Sequence, residues 1–273
     1  MMTKIALSIL CAAITISGFA QDTIPYSDGS KYIGPTVNGL AQGKGSYYFA
    51  GGDVYTGNFV NDEFEGEGKL VWATGDIYTG QWVKGVQNGK GTLTWTNGDK
   101  YEGNFVNGKK SGMGKITWAD STTYVGMWKD DFRNGQGTYT TTTGVEYTGN
   151  FANDLFSGQG VLKHANGDVY TGAFLNDKFN GMGTMKYQNG DLYSGNWVND
   201  IKDGKGKYTW SDGEYYDGLW KNDSQNVLGT YKWANGDIFV GMWVNGKREG
   251  QGTLTFKDGT KESGIYKDDV LVK

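Results

Sequence analysis

Apolar and polar positions recur along this chain with one fixed period. Tyr-x-Gly occurs at Tyr32-Gly34, Tyr55-Gly57, Tyr78-Gly80 and Tyr101-Gly103, and continues from Tyr124, Tyr147, Tyr170, Tyr193 and Tyr216. It passes to Phe239-Gly241 and ends degenerate at Glu262-Gly264, every step being 23 residues with no insertion. Self-similarity at a fixed period marks a repeat architecture. With the tyrosine as column 0, column 4 is aromatic: Phe59, Trp82, Phe105, Trp128, Phe151, Phe174, Trp197, Trp220, Trp243 and Tyr266. Column 17 reads Phe49, Trp72, Trp95, Trp118, Thr141, His164, Tyr187, Trp210, Trp233 and Phe256, so all 10 tryptophans fall in two columns. Columns 11 and 13 are both glycine in nine of ten repeats, the exception being Val227 before Gly229.

Two runs in each repeat alternate with period two, the mark of a half-buried strand. One is Asp76–Val83, with Tyr78, Gly80 and Trp82 on one face, and the other Gly89–Trp95, with Gly89, Gly91, Leu93 and Trp95 on one face. A two-residue Asn-Gly loop would set the aromatic sets on opposite faces, a three-residue loop on the same one. A three-residue connection, Thr96-Asn97-Gly98 with glycine left-handed, pairs Trp95 with Asp99, Leu93 with Tyr101, Gly91 with Gly103 and Gly89 with Phe105. A six-residue loop over columns 5 to 10 gives matching partners inside the repeat: Tyr78 with Leu93, Gly80 with Gly91, Trp82 with Gly89. The column-4 rings then lie beside glycines of both neighbouring strands. Ala119-Asp120-Ser121-Thr122 lacks the turn glycine of the other repeats, and with Thr141 it predicts a softer stretch near 119–145. The expected fold is all-β: an elongated single-layer twisted antiparallel meander of about eleven hairpin repeats, on the order of 100 Å long.

The consensus Tyr-x-Gly-x-Trp followed by Gly-x-Gly resembles the MORN repeat (membrane occupation and recognition nexus), and the resemblance spans residues 32 to about 266. It implies a long single-layer sheet built from hairpins, a scaffold that receives a peptide or helix from a protein partner, and an association with acidic phospholipids. No kinase or methyltransferase segment stands beside the repeats, so those family activities do not carry over.

The first residues have a different character. Lys4, an apolar run Ile5–Ile16 and the small residues before Gln21 match a secretory signal peptide cut after Ala20. The organisation expected is a signal peptide over 1–20, a lead-in over 21–31, the repeat array over 32–266 and a tail over 267–273. The product would be exported to the periplasm, the cell surface or the medium. Cleavage removes Cys11, the single cysteine, and Lys4, leaving 25 basic against 30 acidic residues. A mature chain of that sign is a poor general binder of nucleic acid or anionic lipid.

Composition narrows the chemistry further. One His and one Cys leave no His- or Cys-ligated metal centre and no Ser-His-Asp or Cys-His set, so no catalytic, metal or cofactor residue is assigned. His164 reads as a substituted packing position. The acidic column 21 (Asp53, Asp76, Asp99, Asp168, Asp191, Glu214, Asp237) has members roughly 10 Å apart, too far to share a calcium ion, and reads as turn stabilisation. Lys44, Lys69, Lys90, Lys115, Lys205 and Lys207 form a solvated basic stripe on the polar face. What exceeds packing is the aromatic face, which a single-layer sheet has no second layer to cover. Its candidate partner-binding residues are Trp72, Tyr78, Trp82, Trp95, Tyr101, Trp118 and Trp128 in one cluster, and Trp197, Trp210, Trp220, Trp233 and Trp243 in another. A protein or peptide partner is the first expectation. A glycan or an anionic lipid headgroup are the alternatives, and a second copy of the chain is a further way to cover the face.

Overall fold

The computed structural model describes residues 22–273, so residues 1–20, the expected signal peptide, lie outside the described residues. The described residues form one antiparallel meander of 23 strands, with a two-stranded hairpin, Thr36–Val37 with Leu40–Ala41, beside it. The sheet is open: each of its strands pairs with the next one along the chain, Lys31–Gly34 pairing across the small hairpin with Gly43–Tyr48, and the flanks join in. Asp22–Pro25 pairs with Lys31–Gly34, and Val270–Leu271 pairs with Tyr266 and Lys267.

One repeat explains all of them. The strands Ile77–Val83 and Val86–Thr94 form its hairpin, and Lys100–Val106 begins the next. Between repeats the register is the expected one: Tyr101 faces Leu93, Gly103 faces Gly91 and Phe105 faces Gly89. The Trp95 N–H donates to Asp99 at 2.9 Å, and Gly98 takes φ 96° to close the three-residue turn. Where the turn glycine is lacking, Ser121 adopts φ 67° and still donates to Trp118 at 2.8 Å, so that turn keeps its shape.

Within the repeat the expected six-residue loop is absent. Lys84 and Gly85 form a two-residue turn with φ 49° and 76°, as do Asn61-Asp62 (49°, 69°) and Asn153-Asp154 (48°, 70°). Two successive positive φ values suit asparagine, aspartate and glycine, and match the twist of the strands. The second strand therefore starts three residues early, at column 8. The surplus residues are absorbed by a bulge at columns 10 and 11, so Trp82 faces Gln87 instead of Gly89. Column 11 needs glycine for its backbone angle, as at Gly89 (φ 101°) and Gly135 (φ 100°).

Column 13 needs glycine for space. The Tyr78 ring lies flat across Gly80 and Gly91, and a Cβ on Gly91 would sit 2.5 Å from its ring edge. The ring in the glycine trough is thus the tyrosine, where the sequence pattern assigned that place to column 4. Its hydroxyl donates to the carbonyl three residues on, Tyr78 to Gln81 at 3.0 Å, and all nine tyrosines do the same at 2.8–3.1 Å. Trp82 stands on edge between two of these tyrosines, 5.3 Å from Tyr55 and 5.2 Å from Tyr78, and donates its indole N–H to Gly68 at 3.2 Å.

Val227 carries a column-11 backbone with φ 58°, a conformation that strains a β-branched residue. Its side chain is exposed. Val227→Gly is expected to raise the unfolding free energy by about 1 kcal/mol. Gly91→Ala, which drives a methyl into the Tyr78 ring, should lower it by roughly 2 kcal/mol or more. Denaturant melts of the two variants check both signs.

Candidate functional site

The aromatic face resolves into three tiers. The floor is the tyrosine column with its glycines, and Tyr78 and Tyr101 are fully buried in it. Column 4 is the second tier: Trp82, Trp128, Trp197, Trp220 and Trp243 are 3–6 % exposed, and each indole N–H is bonded to a glycine carbonyl of the preceding hairpin. These seven candidate residues are therefore core and offer a partner almost no surface. The remaining five, Trp72, Trp95, Trp118, Trp210 and Trp233, are half-buried in column 17, on the side of the three-residue turns. They form two groups, Trp72/Trp95/Trp118 and Trp210/Trp233. From Trp118 to Trp210 is four repeats, or roughly 40 Å across the sheet. Thr141 and His164 occupy column 17 between them, and His164 packs edge-on to Phe179 at 6.3 Å.

The third tier is a column that the sequence pattern concealed. Column 9 faces column 4 across the hairpin and closes over the tyrosine. In three repeats it is phenylalanine, stacked parallel on the tyrosine at 3.7 Å: Phe64 on Tyr55, Phe156 on Tyr147, Phe179 on Tyr170. In four it is a cation. Lys110 lies 4.7 Å over Trp128, Arg133 5.2 Å over Phe151, Lys202 5.0 Å over Trp220 and Arg248 5.1 Å over Tyr266. Burial pulls the Lys110 and Lys202 ammonium groups below their ordinary range, opposed by Asp131 and Asp223 respectively. Because column 9 alternates between Phe, Lys, Arg and Gln, hydropathy gives it no signature. Its identity lies in the bulge, which aims it inward.

The carboxylates clamp successive turns together. In column 21, Asp76 accepts the Thr96 N–H at 2.9 Å, Asp99 that of Ala119 at 2.9 Å and Asp168 that of Gln188 at 2.8 Å. At the opposite edge, column 7 repeats the device: Asp154 accepts from Arg133 at 2.8 Å and Asp177 from Phe156 at 2.7 Å. Among the described residues no group of three or more His, Cys, Asp or Glu could hold a metal ion.

Toward the second group the half-buried rings become a ladder. Tyr187, Tyr208, Trp210, Tyr231 and Trp233 follow one another with centroids 4.7–5.9 Å apart and planes tilted 34–50°. Asp191 accepts the Tyr208 hydroxyl at 2.7 Å and Glu214 accepts that of Tyr231, which fixes the rings and raises both phenol pKa values above the ordinary 10.0, burial being the larger cause.

The family model of the MORN repeat matches this chain ten times, over 37–54, 55–77, 78–100, 101–123, 124–145, 147–169, 170–192, 193–215, 216–238 and 239–261. The chain belongs to the MORN-repeat family, a repeat module. Comparison with curated proteins gave no match. Among solved structures it is similar to the TCP10 domain of Danio rerio CPAP in complex with a peptide of Danio rerio STIL, at 10 % identity and TM-score 0.34, over 90 % of this chain and 99 % of that one. It is also similar to the Drosophila melanogaster SAS-4 TCP domain in complex with a proline-rich motif of Ana2, at 9 % identity and TM-score 0.19, over 97 % and 99 %. A streptogramin B lyase structure follows at 14 % identity and TM-score 0.16, over 90 % and 83 %. TM-scores this low carry no functional argument.

Burial raises the floor phenols, Tyr78, Tyr124, Tyr147, Tyr170 and Tyr216 to about 12 from 10.0. The fold holds the neutral form, so this stabilisation is complete below pH 10 and is lost as pH rises through 10 to 12. Phenolate absorbance should therefore appear late and together with loss of the β-sheet circular dichroism. Titration of most tyrosines near pH 10 in a still-folded chain would contradict it.

Proposed function

We propose that this protein is a non-catalytic scaffold that presents its aromatic-glycine face to a protein or peptide partner. The observation that carries this reading is the half-buried column 17. The rings of columns 0 and 4 are buried within the sheet, whereas Trp72, Trp95, Trp118, Trp210 and Trp233 keep ring surface in contact with water. Amphipathic rings on a rigid backbone lose little conformational entropy on binding, which is why tryptophan and tyrosine dominate binding hot spots. The leader expected at residues 1–20 would place this surface in an envelope or outside the cell.

The two groups are tested separately. Trp95→Ala with Trp118→Ala, and Trp210→Ala with Trp233→Ala, should each leave the circular dichroism unchanged and weaken capture of the natural partner at least about tenfold in one group or both. Trp82→Ala serves as the contrast: it empties a core site and should cost about 3–5 kcal/mol of stability. If both double variants retain every partner at full affinity, the aromatic face is not the binding surface. A ligand from a glycan array that quenches tryptophan fluorescence, or vesicle binding that falls steeply with salt, would reassign it.

A further inference from the structure

The lid over the tyrosine is missing in one repeat. Column 9 of the first repeat is Ala41, which is buried, and beside it lies a hollow of about 290 Å³ walled by Tyr26, Tyr47, Phe49, Phe59, Phe64 and Asp62. Four of these six walls keep their type in the repeat four further on, where Tyr47, Phe59, Asp62 and Phe64 become Tyr139, Phe151, Asp154 and Phe156, as the floor Tyr32 becomes Tyr124; Tyr26 and Phe49 become Trp118 and Thr141. The geometry agrees as well. Tyr47–Phe64 and Tyr139–Phe156 are both 6.4 Å, while Tyr32–Phe59 is 4.9 Å and Tyr124–Phe151 is 4.8 Å. Asp62 accepts the Ala41 N–H at 2.6 Å as Asp154 accepts that of Arg133 at 2.8 Å. At column 9 the short Ala41 gives way to Arg133. Arg133 puts its guanidinium between Tyr124, Tyr139 and Phe151 at 5.2–5.6 Å, and donates from Nε to the Asp154 carboxylate at 3.1 Å and from Nη2 to the Asp154 main-chain oxygen at 2.7 Å.

We propose that the hollow at Ala41 is the docking site for an arginine side chain of a polypeptide partner. The inference rests on the peptide-partner reading above and names the residue that such a partner inserts. Aromatic faces are the negative part of the ring quadrupole, and Asp62 adds a full charge that no Lys or Arg among the described residues neutralises. A phenylalanine occupant is disfavoured by the chain's own usage. Phe64, Phe156 and Phe179 share their repeats with the aliphatic column-15 residues Leu70, Leu162 and Met185. Where column 15 is tyrosine and column 9 carries a long side chain, that side chain is polar: Arg133 with Tyr139, Lys202 with Tyr208, Gln225 with Tyr231. Tyr47 puts the first repeat in the polar group. Arginine is preferred to lysine because both Arg133 and Arg248 reach the carboxylate and the main-chain oxygen of their aspartate with the guanidinium, whereas the Lys202 ammonium stays 4.0 Å from the Asp223 carboxylate.

N-acetyl-arginine amide, N-acetyl-citrulline amide and N-acetyl-phenylalanine amide are titrated into the full chain, with the aromatic resonances followed by nuclear magnetic resonance. Arginine should bind saturably, shifting Tyr26, Tyr47 and Phe49, and citrulline, alike in shape but neutral, should bind at least about tenfold more weakly. D62N keeps the acceptor for the Ala41 N–H, removes only the charge, and should weaken arginine at least about tenfold. A41R should fill the hollow from within, abolish arginine binding and raise the melting temperature. Equal binding of citrulline or phenylalanine, unchanged arginine affinity in D62N or A41R, or no saturable arginine binding overturns the proposal. Should A41R not fold, D62N alone decides. The two readings fail apart: a partner lost on tryptophan substitution without any arginine binding sinks only this site, and arginine binding with partners indifferent to the tryptophans sinks only the other.

Discussion

A phenol lying flat across two facing glycines is the contact on which this protein is built. A single-layer sheet has no opposing layer, so it must make an interior from side chains that fold down onto their own backbone. The tyrosine does this because columns 2 and 13 carry no Cβ, and its hydroxyl returns a hydrogen bond to the carbonyl three residues on. The high glycine content, which in another chain suggests disorder, is here the mould for a ring. Everything else in the repeat holds that ring in place: the column-4 ring stands against its edge, the column-9 side chain closes its upper face, and the bulge brings column 9 to where it can do so.

That three-tier construction changes what the aromatic face means. A chain with 40 aromatic residues and a single-layer sheet looks like a surface waiting to be covered. Most of them are already covered, by each other and by the stems of Lys110, Arg133, Lys202 and Arg248. The surface left for recognition is narrower: one edge row of rings, continuous toward Trp233, and one hollow where a short side chain leaves the lid off.

Much of this was legible in the sequence because the repeat fixes a register that no single hairpin could. The 23-residue period, the Asn-Gly turns and the demand that facing glycines coincide determine the pairing of Leu93 with Tyr101 and of Gly91 with Gly103. Two features were not legible. Asn-Asp at columns 6 and 7 reads as loop in a polar stretch, yet both residues tolerate positive φ, and the aspartate recovers energy by accepting an N–H of the preceding repeat. Column 9 escaped because phenylalanine, arginine and lysine do the same work there with opposite hydropathy. With the second strand read from column 11, columns 0, 4 and 17 look equally open, although Tyr78, Tyr101 and Trp82 are buried and Trp95 and Trp233 are only half-buried.

The direction of the hydrogen bonds has a mechanical consequence. In an antiparallel ladder they run perpendicular to the strands, and here that direction is the long axis from Asp22–Pro25 to Val270–Leu271. Tension between the two ends would load them in series, parting one hairpin at a time instead of shearing a whole sheet. Each unzipped repeat would release its 23 residues as extended chain. Such a molecule yields to low force in equal steps, behaving as a compliant spring whose travel is set by the number of its repeats.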